Sequence, residues 1–421
     1  MINKNINLIL VMIFVVVLLG LSSCNDMPTN IGETLMKDTV VVETLSEENA
    51  GIIQSTEAYQ TLIKSYTSYT TLIGKSGETQ AVYLFRMLTN MLPDSIGDVT
   101  VDKIVSANLI LEVAPYAMGD LVNGKFSVDV KEVTKYWSKI ENDSIQLTTY
   151  NSLFNSPADY FGRKIGEFNN QINISKTNFT DEISIPLDPA YIKDILQKKP
   201  GTNELVKNEG IAIIPRSDCD IIHQFITYVS ISDKDTMSRI ELVYQNLSGG
   251  LDTAKILIAN DGLFTSAPSV PEGSIVVQEN VDYRTEIKLD LSKITKYAGV
   301  IKTELILTLD TDNSYYGNEG LDSTIYLGVF AERDNTSPIS TYAVEGVPDS
   351  TGKFIFSSLS APIQYIIRHG GKGSIVIYPG HGARNSYTNN KIDRMVFFGK
   401  NATDPKKRPL LRIAYSYVAT K

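Results

Sequence analysis

Few side chains in this 421-residue chain can do chemistry: it holds two cysteines, three histidines and one tryptophan. Cys219 sits in Arg216-Ser217-Asp218-Cys219-Asp220, and a lone thiol in such a setting reads as structural or incidental rather than catalytic. His223, His369 and His381 lie far apart, and each reads as a surface or loop histidine. His381 falls in the glycine-rich run Tyr378-Pro379-Gly380-His381-Gly382-Ala383-Arg384-Asn385, where a loop could hold His381, Arg384 and Asn385 toward a ligand. Tyr315-Tyr316, in a polar turn, reads as an exposed aromatic pair on which a sugar ring could stack. Trp137 follows an apolar strand and is expected in the core. Asp310-Thr311-Asp312-Asn313-Ser314 alternates oxygen ligands, but Tyr315 and Leu321 stand where an EF-hand needs glycine and glutamate. A solvated turn is the preferred reading there and a structural calcium ion the alternative. Zincin, nucleophile-elbow, Walker and dinucleotide signatures are absent, and no carboxylate pair stands out for glycoside hydrolysis. Neither an enzyme nor a cofactor is expected.

Cys24 owes its interest to what precedes it. The run Leu8–Leu21 is apolar throughout and follows a single basic residue, Lys4. As a helix it is roughly 21 Å long, short of the ~30 Å hydrocarbon core but right for the apolar region of a signal peptide. Leu21-Ser22-Ser23-Cys24 resembles the lipobox of bacterial lipoproteins. The small residues admit a peptidase, and the thiol is the nucleophile that accepts the lipid. Residues 1–23 are thus expected to be cleaved, and 24–50 to form a lipidated tether holding the protein to the bilayer by several acyl chains. The formal charge of −9, with no basic stripe, argues against a nucleic-acid partner.

Past residue 38 the apolar residues recur at period two or in short runs bounded by Gly, Asn, Asp and Pro, which predicts strands. Helices are expected only over 48–66, 189–196 and 361–369. The two halves follow one order. Ser106–Val113 and Thr303–Asp310 each precede a polar turn and another strand. Ile183–Leu187 and Phe354–Leu359 each lead to a short helix and a glycine-preceded strand, and each half closes on two further strands. An all-β chain of two tandem jelly-roll-like sandwiches follows, over 51–246 and 251–421, joined at Asn246-Leu247-Ser248-Gly249-Gly250.

The pattern of Ala107, Leu109 and Leu111, the strand–helix pair before a glycine-preceded strand, and the closing Lys407, Arg408, Pro409, Leu411, Ile413 and Tyr415 resemble the DNRLRE-type, disaggregatase-related jelly-roll modules. That resemblance implies carbohydrate binding; the first copy lacks the Lys-Arg-Pro ending. Cys24-Asn25-Asp26, Ile31–Leu35 and Val40–Val42 resemble a domain-of-unknown-function lipoprotein family of Gram-negative bacteria. The expectation is a lipoprotein anchored to the outer membrane, facing periplasm or surface. It would act as a non-catalytic binding or adhesion module for glycans, at Tyr315, Tyr316, His381, Arg384 and Asn385. The alternative is a structural or assembly component of the envelope that contacts other proteins.

Overall fold

The computed structural model describes residues 39–419, except 61–68, 89–91, 93–95, 97–98, 142–143, 148, 173–180, 197–208, 228–236, 267, 282, 321–324, 330–339, 343–345, 358 and 380–390. The chain opens with β1 (Thr39–Ser46), the one-turn helix α1 (Glu47–Ala50) and β2 (Ile53–Gln60). Of the helix expected over 48–66, only this turn forms among the described residues. Gly51, at φ +60°, ends it by donating its N–H to the Glu47 carbonyl at 3.0 Å. Beyond it, pairing of 53–60 with another strand outweighs the helix propensity of Gln54, Glu57 and Ala58.

The N-terminal sandwich runs through β3 (Thr70–Ser76), β4 (Thr79–Leu88), β5 (Ile104–Gly119), β6 (Phe126–Val133), the hairpin β7 (Ser138–Glu141)–β8 (Ser144–Leu147), the short helices α2 (Tyr150–Asn155) and α3 (Pro157–Tyr160), and β9 (Phe161–Asn170). It continues through β10 (Glu182–Pro186), α4 (Pro189–Ile195), β11 (Ile211–Pro215), β12 (Ile221–Ile226), β13 (Arg239–Gln245) and β14 (Leu251–Thr265). Its sheet has the order β14-β13-β5-β12-β3-β4-β11-β6-β9; β10 lies on β5, and β14 also pairs with β4. Inward residues such as Phe85, Leu109, Phe126 and Phe225 form one core. The C-terminal sandwich holds β15 (Ile275–Gln278), β16 (Tyr283–Asp290), β17 (Gly299–Thr308), β18 (Ile325–Val329), β19 (Ser340–Tyr342), β20 (Val347–Pro348), β21 (Lys353–Ser357), α5 (Ser360–Arg368), β22 (Lys372–Pro379), β23 (Arg394–Phe397) and β24 (Leu410–Ala419). One sheet is β1-β24-β17-β21-β20; the other is β19-β18-β22-β16-β15-β23 with β2 on β16. A second core, with Ile287, Leu305, Phe354 and Phe397, lies between them. The protein is all-β and sandwich-built.

The halves match in register as well as in order. Leu109 of β5 faces Ile185 of β10 and Ile240 of β13; Leu305 of β17 faces Phe356 of β21 and Leu411 of β24. Ile211 of β11 faces Phe85 of β4, and Ile375 of β22 faces Ile287 of β16. The closing strand matches too. β14 spans from β13 to β4 in the N-terminal sandwich, and β1 on β24 with β2 on β16 takes its place in the other. The same register places Asp261 of β14 opposite Phe85 and Thr56 of β2 opposite Ile287.

If each repeat is taken as a leading strand followed by a body, the repeats have exchanged their leading strands. The boundaries expected from sequence are corrected accordingly. Residues 39–46 are a strand rather than tether, 53–60 belong to the C-terminal sandwich, and 251–265 belong to the N-terminal one. Asn246–Gly250 is no linker but a tight turn between β13 and β14. There the Asn246 N–H donates to the Gly250 carbonyl at 2.8 Å, and Gly249 takes φ +86°. Turns and linkers draw on the same Asn, Ser and Gly residues, so composition alone could not separate them.

Candidate binding surface at the sandwich junction

The two sandwiches meet over a buried patch of Leu72, Ala81, Tyr116, Met118 and Ile222 from one side and Val281 and Ile392 from the other. The turn that follows β17 is clasped into this junction. Asp310 starts it: its carboxylate accepts from the Asp312 N–H at 3.2 Å and from Asn313 Nδ2 at 2.9 Å, while the Ser314 hydroxyl donates to the Asp310 carbonyl at 2.7 Å. The Asp310 carboxylate and the Ser314 hydroxyl, two of the groups that suggested a cation ligand, are therefore engaged in building the turn.

Tyr315 pairs with Arg394 through both backbone hydrogen bonds, at 3.0 and 2.8 Å. Its hydroxyl lies 2.7 Å from Thr79 Oγ1 of the N-terminal sandwich and accepts from Gln278 Nε2 at 3.0 Å, and the Arg394 guanidinium stands 5.8 Å from its ring centroid. The expected exposed pair is therefore corrected: Tyr315 is a half-buried pin between the sandwiches, because its hydroxyl finds partners on both. Tyr316, with 51% of its surface exposed, is the aromatic that faces solvent.

The next two residues fasten the turn to β5. The Gly317 N–H donates to Asp393 Oδ1 at 2.9 Å, and the same oxygen accepts from the Tyr116 hydroxyl at 2.7 Å. That hydroxyl in turn accepts from the Ile392 N–H at 3.1 Å. Burial and the Asp393 carboxylate push the Tyr116 phenol well above its usual range, so it stays a donor. Asn318 imitates a strand: its N–H donates to the Ala117 carbonyl at 2.8 Å, its Oδ1 accepts from the Ala117 N–H at 3.0 Å, and its Nδ2 donates to the Pro115 carbonyl at 2.7 Å. Glu319 then pairs with Lys391 at 2.9 Å. Lys391 is the first described residue after 380–390, and through Glu319 it is joined to the Tyr316 turn. His381, Arg384 and Asn385 lie outside the described residues, as does Cys24. Tyr116, Asn318 and Asp393 carry no mark in the sequence, since each looks like an ordinary strand or turn residue until its partner far along the chain is known.

The remaining chemistry-bearing residues are accounted for elsewhere. Trp137 is buried as expected, its indole N–H donating to the Glu209 carbonyl at 2.8 Å. Cys219 is buried with its thiol 3.4 Å from the Ile221 carbonyl, and burial pushes that thiol up, away from the thiolate a nucleophile needs. His369 is exposed at the C-cap of α5, with Nδ1 2.8 Å from the Tyr365 carbonyl. His223 is a correction: it is no surface histidine but a wholly buried residue of β12, edge-on to Phe126 at 5.5 Å, with neither ring nitrogen hydrogen-bonded among the described residues. Burial lowers its pKa to about 4. Glu112, buried in β5 directly opposite Glu182 of β10, is raised to about 7 by burial first and then by the Glu182 carboxylate, against the pull of Arg239. Arg239 meanwhile binds Glu182 at 3.1 Å and Glu241 at 2.8 Å. Among the described residues no group of His, Cys, Asp and Glu is placed to hold a metal ion.

No family model matches the chain, and no curated protein matches it. Among solved structures, a Parabacteroides distasonis protein to which secretion is assigned by inference aligns over 89% of this chain and 88% of its own, at 9% identity and a TM-score of 0.18. The VP2 particle of infectious bursal disease virus aligns over 91% and 77%, at 14% identity and a TM-score of 0.10. At such scores neither likeness bears on fold or function. No helix among the described residues is long and apolar enough to cross a membrane.

Proposed function

We propose that the chain is a non-catalytic binding module, tethered to the outer membrane through acylated Cys24, that takes glycans at the junction of its sandwiches. The observation that supports this reading is the Asp310–Gly320 turn. It is fixed at both ends and to both sandwiches, yet it offers the Tyr316 ring to solvent beside the Glu319–Lys391 pair. A ring held on a rigid support loses little entropy when a pyranose stacks on it, and a neighbouring ion pair supplies a donor and an acceptor for hydroxyl groups. Arg384 and Asn385, expected from the sequence to add hydrogen bonds, lie outside the described residues. Binding without turnover is what such a surface can do.

A glycan array with the full chain identifies the sugar class. Against the best glycan, Tyr316→Ala should weaken binding by roughly tenfold or more in calorimetry while leaving the melting transition in place, in line with loss of one stacked aromatic. Unchanged affinity in Tyr316→Ala, or no glycan retained above background, would sink the proposal. The latter outcome would favour the second reading, an envelope assembly component, which β1 supports: it is the outermost strand of its sheet among the described residues, with Val40 and Val42 60% and 63% exposed.

A further inference from the structure

The slot that β1 and β2 fill in the C-terminal sandwich is a strand-acceptor site. We propose that it also takes β1–β2 of a second copy of this chain, so that copies join by the exchange that here joins the two repeats. β1 pairs with β24 over its whole length, from Thr39 opposite Ala419 to Ser46 opposite Arg412. β2 pairs with β16 from Gln60 opposite Tyr283 to Ile53 opposite Leu289. Neither segment is continuous in sequence with the body it completes. The slot is therefore filled by a donor that arrives from elsewhere, and the matching slot in the N-terminal sandwich is filled by β14 in the same register. A slot that recognises a strand by backbone ladder and alternate side chains gains the same contacts from any copy of that strand.

The donor itself is suited to exchange. On one face of β1, Val41, Glu43 and Leu45 lie opposite Tyr417, Tyr415 and Ile413, and Glu43 is exposed. Its single carboxylate is bonded there by two phenols, Tyr415 at 2.7 Å and Tyr417 at 2.9 Å. The other face carries the exposed Val40, Val42 and Thr44 and no charge. β14 differs at the corresponding edge, where Asp252 and Lys255 are exposed, a pattern that discourages pairing with strangers. Closed and exchanged forms bury the same surfaces, so the balance between them is set by effective concentration. A lipid on Cys24, just upstream of the donor, would confine copies to one plane and raise that concentration; this effect alone rests on the anchoring reading.

The test uses the full chain with Cys219→Ser and a short bis-maleimide. Thr44 and Ala414 face each other across β1 and β24. Thr44→Cys and Ala414→Cys, placed in separate copies and co-expressed, should give cross-linked dimers at roughly tenfold or more above either variant alone. The double variant in one chain reports on the pairing itself, and fractionation with intact-mass analysis of Cys24→Ser reports on the anchor independently. If the double variant cross-links within the chain while the co-expressed pair gives no dimer, β1–β2 stays at home and the proposal is overturned. It is equally overturned if neither cross-links. Dimers that persist when Cys24→Ser releases the protein from the membrane would support exchange and refute the anchor's part in it.

Discussion

His223 shows how far a single buried residue can govern the response of such a protein to its surroundings. Its ring has no hydrogen-bond partner among the described residues and sits among Phe126 and Phe225, so the folded state holds it neutral with a pKa of about 4 against 6.5. The unfolded chain takes up a proton more readily. The stability due to this residue is therefore complete above about pH 6.5 and is lost as pH falls toward 4, by up to about 3 kcal/mol. Glu112 acts in the opposite sense. Its raised pKa favours the folded state below the ordinary carboxylate range and gives that up as pH rises through about 7. Urea midpoints measured from pH 7 to pH 4.5 should fall more steeply for the natural chain than for His223→Phe or His223→Leu. Parallel curves for all three would show that His223 does not titrate with folding. No sequence pattern marks this residue, because Ile221-Ile222-His223-Gln224-Phe225 reads equally well with the histidine facing either way.

Among the elements, those with period-two alternation are legible in the residue order alone. β10 alternates buried Ile183 and Ile185 with exposed Glu182 and Ser184, and α4 and α5 follow within a residue of expectation. β2 is not legible, since Ile53-Gln54-Ser55-Thr56-Glu57-Ala58-Tyr59 has the composition of a helix, and only its distant partner β16 makes it a strand. The same holds for the Asp310–Gly320 turn, whose polar residues suggest a solvated loop and whose real partners lie on β5. Gly317 shows why that turn tolerates so little change. A Cβ there would lie 2.4 Å from Tyr116 Cε2 and 2.6 Å from the Ala117 carbonyl oxygen. Gly317→Ala should cost about 1–3 kcal/mol, the usual penalty of overpacking. The loss should appear in calorimetry as a splitting of one melt into two, as the sandwiches uncouple. A single transition with an unmoved midpoint would mean the turn is not what couples them.

Across the whole molecule, the internal repeat can be read from the sequence but the connectivity cannot. Order of strands is a local property, whereas the choice of which body a leading strand completes depends on contacts made far along the chain. The segment 251–421 looks like a complete second copy, yet it carries β14 of the other sandwich and lacks β1 and β2. With β16 and β24 each stripped of a neighbour, it should not fold alone. Circular dichroism of that fragment should show no cooperative melt, and addition of a peptide covering 39–60 should restore one. A stable fragment without the peptide would show that the closing strands are dispensable.

The pairing of Thr39 with Ala419 puts the two ends of the described chain side by side at one corner of the protein. A pull on the N-terminal end therefore enters through β1 and runs along its length, against a ladder that extends to Ser46 and Arg412. Tension along the strand axis loads the rungs together rather than one after another, which holds β1 in shear. Under the proposed tether at Cys24, the strand that closes the far sandwich would also be the mooring line.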